Sequence, residues 1–109
     1  MPASSYPRRI KVGAFDYTVE HNPQALEDVG GDAALWNAQL RIAVNKDQAP
    51  GYLRDSLLHE LLHACYQQSG LYDPEKKEYE ERVVSHMTPR ILDVLRANPR
   101  LVAWLTEKP

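Results

Sequence analysis

His59-Glu60-Leu61-Leu62-His63, inside the apolar run Ser56-Leu57-Leu58-His59-Glu60-Leu61-Leu62-His63-Ala64-Cys65, is the stretch around which the chain is organised. On a helix, residues four apart sit one above the other on the same face. His59 and His63 can therefore aim two imidazoles at one cation, with Glu60 at the rim of the same site. This is the H-E-x-x-H pattern, in which two histidines ligate zinc and the glutamate serves as general base for hydrolysis. Three fixed residues among five arise by chance in so short a chain only on the order of a few times in a thousand. The pattern therefore carries weight if the flanking chain supplies a helix, a third ligand and a cleft.

The helix around the motif starts near Pro50 or Gly51, where proline is tolerated in the first turn, and runs to about Gln68, with Gly70 as its C-cap. Leu53, Leu57, Leu58, Leu61, Leu62 and Cys65 occupy more than one of its faces. The helix should thus be central, covered by a sheet on one side and by another helix on the other. Upstream, Leu40, Ile42 and Val44 alternate with Gln39, Arg41 and Ala43 as a strand, and residues 45–51 form the turn into the helix. Ala33-Ala34-Leu35-Trp36 is expected to run on into that strand. Ala25 to Val29 suits a helical turn, broken by Gly30-Gly31-Asp32. Ile10, Val12, Phe15, Tyr17 and Val19 give two strands, or one bulged strand, around Gly13. His21-Asn22-Pro23 ends them. His21 is an isolated histidine beside a turn and is not counted as a ligand. Residues 1–7 read as a loose arm.

Downstream, Asp73 caps a second helix with Pro74 in its first position. It extends to roughly Ala97 with Val84, Met87, Ile91, Val94 and Leu95 as its apolar stripe. Pro89 inside that stripe predicts a kink or break near Met87-Thr88. After Asn98-Pro99, a short helix from Arg100 to Thr106 is expected to bury Leu101, Trp104 and Leu105.

At 109 residues the chain fits a single domain, and its 43% hydrophobic and 26% charged content is that of an ordinary globular protein. A net charge of -2 gives no basis for nucleic-acid binding. Arg8, Arg9 and Lys11 are a small basic cluster better explained as solvated strand-edge charges. The single cysteine, Cys65, excludes an intrachain disulfide and suits a reducing compartment. It lies about 200° around the helix from His63, so it cannot face the same metal, and is read as a small buried apolar residue. With no long apolar run and no hydrophobic signal region, membrane insertion is not expected and the protein reads as cytoplasmic.

A catalytic zinc site normally needs a third protein ligand. The helix beginning at Asp73 must fold back antiparallel against the motif helix, which brings Glu80 and Glu81 towards His59 and His63, with Glu78 about a turn earlier. Val84, Met87, Thr88, Ile91 and Leu92 cluster at about 60° to one side of Glu81, placing its carboxylate at the flank of the buried stripe. Glu80 falls nearer the stripe's centre, among apolar packing. Glu81 is therefore favoured over Glu80. The competing reading makes both part of a charged first turn that suits the helix macrodipole. His86 is the remaining alternative ligand, about 140° from Glu81 and near the solvent side.

Ile42-Ala43-Val44-Asn45, then Ser56 to Ala64, then Glu81-Arg82-Val83-Val84-Ser85, resembles the small zincin-like metallopeptidases, and more narrowly the ImmA/IrrE-like gluzincins and compact phage and prophage proteins with that core. The likeness spans about residues 10–105, with H-E-x-x-H its one sharply specific part. It implies an α+β zincin-like domain, with a short antiparallel or mixed sheet packed on the motif helix and a ligand-bearing helix after it. In that group the third ligand is a glutamate on the following helix. Glu81 with Val84 and Ser85 matches its register better than Glu80 with Val83 and Val84. Ser85 departs from the Asn or Asp often found there as support for a histidine. The resemblance also implies a bacterial or phage origin, hence the host cytoplasm if phage-encoded.

The expected activity is zinc-dependent hydrolysis of a protein or peptide substrate. His59, His63 and Glu81 would hold Zn2+, Glu60 would act as base, and Tyr66, Tyr72 or Tyr79 would stabilise the oxyanion. The strand Leu40 to Val44 is the expected sheet edge beside the cleft, to which an extended peptide would add. The alternative is a zincin-like binding or regulatory module with zinc but little or no peptidase activity.

Overall fold

Local signals set the element boundaries. The computed structural model describes residues 5–108; the loose arm expected over residues 1–7 lies largely outside them, and residues 5–7 are irregular. Strands β1 (Arg9–Val12) and β2 (Phe15–His21) form an antiparallel hairpin. Its turn uses Gly13 at φ 62°, a left-handed conformation that glycine adopts without a Cβ penalty. The two-strand reading of this segment therefore holds. Helix α1 (Pro23–Val29) opens with Asn22 accepting the Ala25 amide through its side chain and closes on Gly30 at φ 74°.

Ala33–Trp36 is a strand of its own, β3, and does not run on into the next. A 3₁₀ turn at Asn37–Gln39 and Leu40 at φ 52° separate it from β4 (Arg41–Val44). Leu40, expected inside the strand, is the residue that reverses the chain.

The sheet is mixed, with strand order β1-β2-β4-β3: β2 and β4 run parallel, and β3 pairs antiparallel with β4. β4 is thus internal, and the sheet's edges are β1 and β3. Its interior position explains why Ile42, Ala43 and Val44 are all fully buried where alternation predicts an exposed Ala43. Successive side chains point to opposite faces. Ile42 and Val44 join the main core with Tyr17, Val19, Leu57 and Ala64, while Ala43 faces the side where α1 packs on β4 and β3.

Helix α2 (Pro50–Gln68) has the bounds expected of the motif helix, with Ser69 as C-cap and Gly70 following at φ 87°. Leu53, Leu57, Leu61 and Ala64 form the stripe on the sheet, and the fully buried Ala64 lets backbone and sheet approach closely. The opposite flank meets α3 (Lys77–Ala97), with Leu62, Cys65 and Tyr66 facing Val83, Val84, Met87 and Ile91. Cys65 is exposed rather than buried: it lies at the open side of this groove. Asp73 caps the next segment by accepting the Glu75 amide, and a 3₁₀ turn at Pro74–Lys76 leads into α3.

α3 is helical from Lys77 to Ala97 with Pro89 inside it, so the chain does not break near Met87-Thr88. Proline leaves the Ser85 carbonyl without its helical donor. Next to it, buried Thr88 donates its hydroxyl to the Val84 carbonyl at 2.7 Å, so its own polar group is satisfied within the helix. The final helix α4 (Pro99–Leu105) exists, but its apolar side chains are not buried: Trp104 is 69% exposed, and Leu105 and Leu101 are exposed too. None of the described helices is long and apolar enough to cross a membrane.

Candidate metal centre

The loop before α2 sets where the motif helix begins. The Asn45 amide donates to the Asp32 carbonyl at 2.8 Å, Gln48 donates to the Asn45 carbonyl, and Ser56 of α2 donates to Gln48 at 2.9 Å. His21 accepts the Lys46 amide through Nδ1 at 3.1 Å, so this histidine serves the loop and stands apart from the motif. At the other end, Gln68 donates to the Tyr17 hydroxyl at 2.9 Å and to the Val12 carbonyl at 3.1 Å. The first half of α2 is thereby tied to the loop after β4 and its last turn to β1 and β2, and the motif lies between.

His59 and His63 sit on one face of α2 with ring centroids 4.9 Å apart. α3 packs along that helix and presents Glu81 to both rings. One carboxylate oxygen lies 3.0 Å from His59 Nε2 and the other 2.7 Å from His63 Nε2. One ligand atom from each of His59, His63 and Glu81 falls within 4.8 Å of the others. Tetrahedral zinc with bonds of about 2.1 Å separates its ligands by about 3.4 Å, so small side-chain movements suffice for coordination. Two imidazole nitrogens and a carboxylate are also the donor set of a His-His-Glu catalytic zinc site. The residues present fit that metal.

The surroundings are acidic. A cleft of about 380 Å³ is lined by Leu35, Gln67, Tyr72 and Lys77 together with Glu60, His63, Glu80 and Glu81. Three acidic side chains, one histidine and one lysine line it. Burial pushes the Glu60 carboxyl up to about 7; His63 opposes that shift and Glu81 adds to it. For Glu81 burial also acts upwards, but the Ser85 hydroxyl and the two histidines outweigh it and hold the group below the usual range. Ser85 donates to Glu81 at 2.9 Å, so its hydroxyl supports the acid rather than a histidine.

Glu80 is buried, as its place near the stripe's centre requires, but it is not enclosed by apolar packing alone. Its Oε2 lies 2.6 Å from His63 Nδ1 and accepts from Gln67 at 3.2 Å. His86 is turned away, with Nδ1 on the Arg82 carbonyl. Glu78 does not line the cleft and is exposed. Of the three tyrosines, Tyr72 lines the cleft, Tyr66 faces the α2–α3 groove, and Tyr79 is exposed. Burial, then Tyr79, Glu80 and Asp73, raise the Tyr66 phenol.

Leu35, Gln67 and Lys77 belong to the cleft without having been expected there. Spacing carries a signal for two of them. Gln67 stands four residues after His63 and Lys77 four before Glu81, each on the same helical face as its neighbour. Leu35 is brought in by β3 being an edge strand, which no local pattern reveals.

Against protein-family models, curated proteins and solved structures, the chain finds no match.

Proposed function

We propose that the protein is a zinc-dependent peptidase with a zincin-like arrangement of sheet, motif helix and ligand helix. His59, His63 and Glu81 hold the metal. The observation that carries the reading is the environment of His63, whose two ring nitrogens both face carboxylate oxygens, at 2.6 and 2.7 Å. A neutral imidazole has one N–H and one lone pair. Both contacts are favourable for an imidazolium, for a neutral ring that accepts from one protonated carboxyl, or when a cation takes the Nε2 lone pair and draws in Glu81. A dication does the last of these.

When bound, zinc activates water near neutral pH and polarises a carbonyl. Glu60, at the rim beside His59, accepts the proton of the attacking water and delivers it to the leaving amine. Tyr72, which lines the cleft, would donate to the developing oxyanion. The substrate enters as an extended peptide along β3. The Asn45–Asp32 hydrogen bond fixes the phase of the β3–β4 ladder, so Ala34 and Trp36 pair inward while Ala33 and Leu35 turn their N–H and C=O groups outward. That outward edge borders the cleft at Leu35, and a peptide adds to it as another strand.

The test is zinc content and peptide cleavage measured on the same preparation, with His59→Ala as control. Stoichiometric zinc lost in His59→Ala, together with cleavage that a chelator abolishes, is the expected result. Zinc without cleavage of any peptide library would replace the peptidase reading by that of a zinc-holding binding module.

A further inference from the structure

We propose that Glu80 is a positioning residue of the metal centre, holding the His63 Nδ1 proton so that Nε2 presents its lone pair to the cation. The inference rests on the metal-site reading above and deepens it.

Glu80 is only 4% exposed, the one buried acid among the described residues. Its Oε2 sits 2.6 Å from His63 Nδ1, and Gln67, on the same face of α2 as His63, donates to that oxygen at 3.2 Å. Its Oε1 is buried with no hydrogen-bond partner. A buried carboxylate with an unpaired oxygen is costly, and nothing in the packing requires it. Its neighbours one turn and two turns on, Val84 and Thr88, show that uncharged side chains fill this face of α3. The charge is compensated once a cation stands on the far side of His63, since the imidazole then links carboxylate and metal through one ring. Carboxylates that accept the remote N–H of a ligating histidine fix its tautomer and raise its basicity.

Position also matters. Ser85, one turn beyond Glu81, spends its hydroxyl on Glu81 and does not reach a ring nitrogen. The carboxylate at His63 Nδ1 belongs to the residue immediately before Glu81. Glu80 and Glu81 thus clasp one imidazole from both sides, Glu80 at Nδ1 and Glu81 at Nε2. Adjacent helical residues project about 100° apart, which lets one turn of α3 do both.

The experiment is a zinc titration against a chromophoric chelator for the wild type, Glu80→Gln and Glu80→Met, with thermal unfolding of each metal-free protein. Zinc affinity is expected to fall about 10- to 100-fold in both variants. The Tm of metal-free Glu80→Gln should stay level, because the amide oxygen can still accept from His63 Nδ1 in a side chain of the same shape. Zinc affinity of Glu80→Met within twofold of wild type would overturn the proposal. So would an affinity loss in Glu80→Gln matched by a lower metal-free Tm, which would make Glu80 a packing residue. A wild type that takes no zinc overturns the metal reading and this one with it, whereas zinc-binding wild type with indifferent variants overturns this one alone.

Discussion

Glu81 meets His63 across the α2–α3 interface with 2.7 Å between carboxylate oxygen and Nε2, and its second oxygen reaches His59 at 3.0 Å. A single side chain from α3 thus spans both motif histidines. Removing it should do more than loosen the centre. Glu81→Ala is expected to lose zinc by more than the ~10- to 100-fold that outer changes cost, whereas His86→Ala should retain it. Metal analysis after gel filtration decides between them, and zinc kept by Glu81→Ala but lost by His86→Ala would reverse the assignment.

Glu60 has a different role and should separate from the ligands in experiment. It lines the cleft without hydrogen-bonding either histidine. Glu60→Gln should keep stoichiometric zinc and lower the cleavage rate about 10²- to 10⁴-fold, the span typical of a positioned acid–base group. Undiminished turnover in that variant would remove Glu60 from the mechanism.

How much of this was legible beforehand follows from the range of each signal. Pro50 and Gly70 act within a few residues of themselves and bracket α2 where expected, whereas Asp73 and Pro74 open only a 3₁₀ turn and α3 itself starts at Lys77. The meeting of Glu81 with the histidines follows from helical period plus a short connection, both local. Strand order is not local. The run Arg41 to Val44 looks the same whether it lies inside a sheet or at its edge, so β3 and Leu35 at the cleft went unseen. Amphipathic spacing in Leu101, Trp104 and Leu105 says which side could be buried but not that a partner exists, and those side chains are exposed. Glu80 shows the same limit in reverse: its depth was readable, while its pairing with His63 and Gln67 depends on the rotation of two packed helices.

Acid stability should carry a small signature of Glu20. Arg41 Nε donates to Glu20 at 2.6 Å while its guanidinium lies 4.8 Å from the centre of the Trp36 ring. The hydrogen bond from Arg41 lowers the Glu20 pKa below 4.5 against a smaller opposing effect of burial. A depressed carboxylate stabilises the fold above its unfolded pKa, and that contribution is lost as pH falls through the folded one. Both side chains remain partly open to solvent, so the pair is worth about 0–1 kcal/mol. Urea unfolding of wild type and Glu20→Gln should differ by that amount at pH 7 and converge as pH falls through the depressed Glu20 pKa. A gap that widens on acidification would contradict the sign.

Gly13 offers the sharpest stability test of how α2 is anchored. At φ 62° an alanine would be strained by about 1–2 kcal/mol, partly offset by about 0.4–1 kcal/mol from a less flexible unfolded chain. Its Cβ would also clash with Gln68 Oε1, at the end of the side chain that ties the last turn of α2 to Val12 and Tyr17. Gly30, at φ 74°, has nothing within 4 Å of the same added atom. Gly30→Ala therefore reports the strain alone, and Gly13→Ala the strain plus displacement of Gln68. Losing those hydrogen bonds adds about 1 kcal/mol, so Gly13→Ala should have the lower urea midpoint at unchanged m. In a Gln68→Ala background the difference between the two glycine variants should vanish. Should it persist there, the cost at Gly13 comes from the hairpin backbone and not from the anchor on α2.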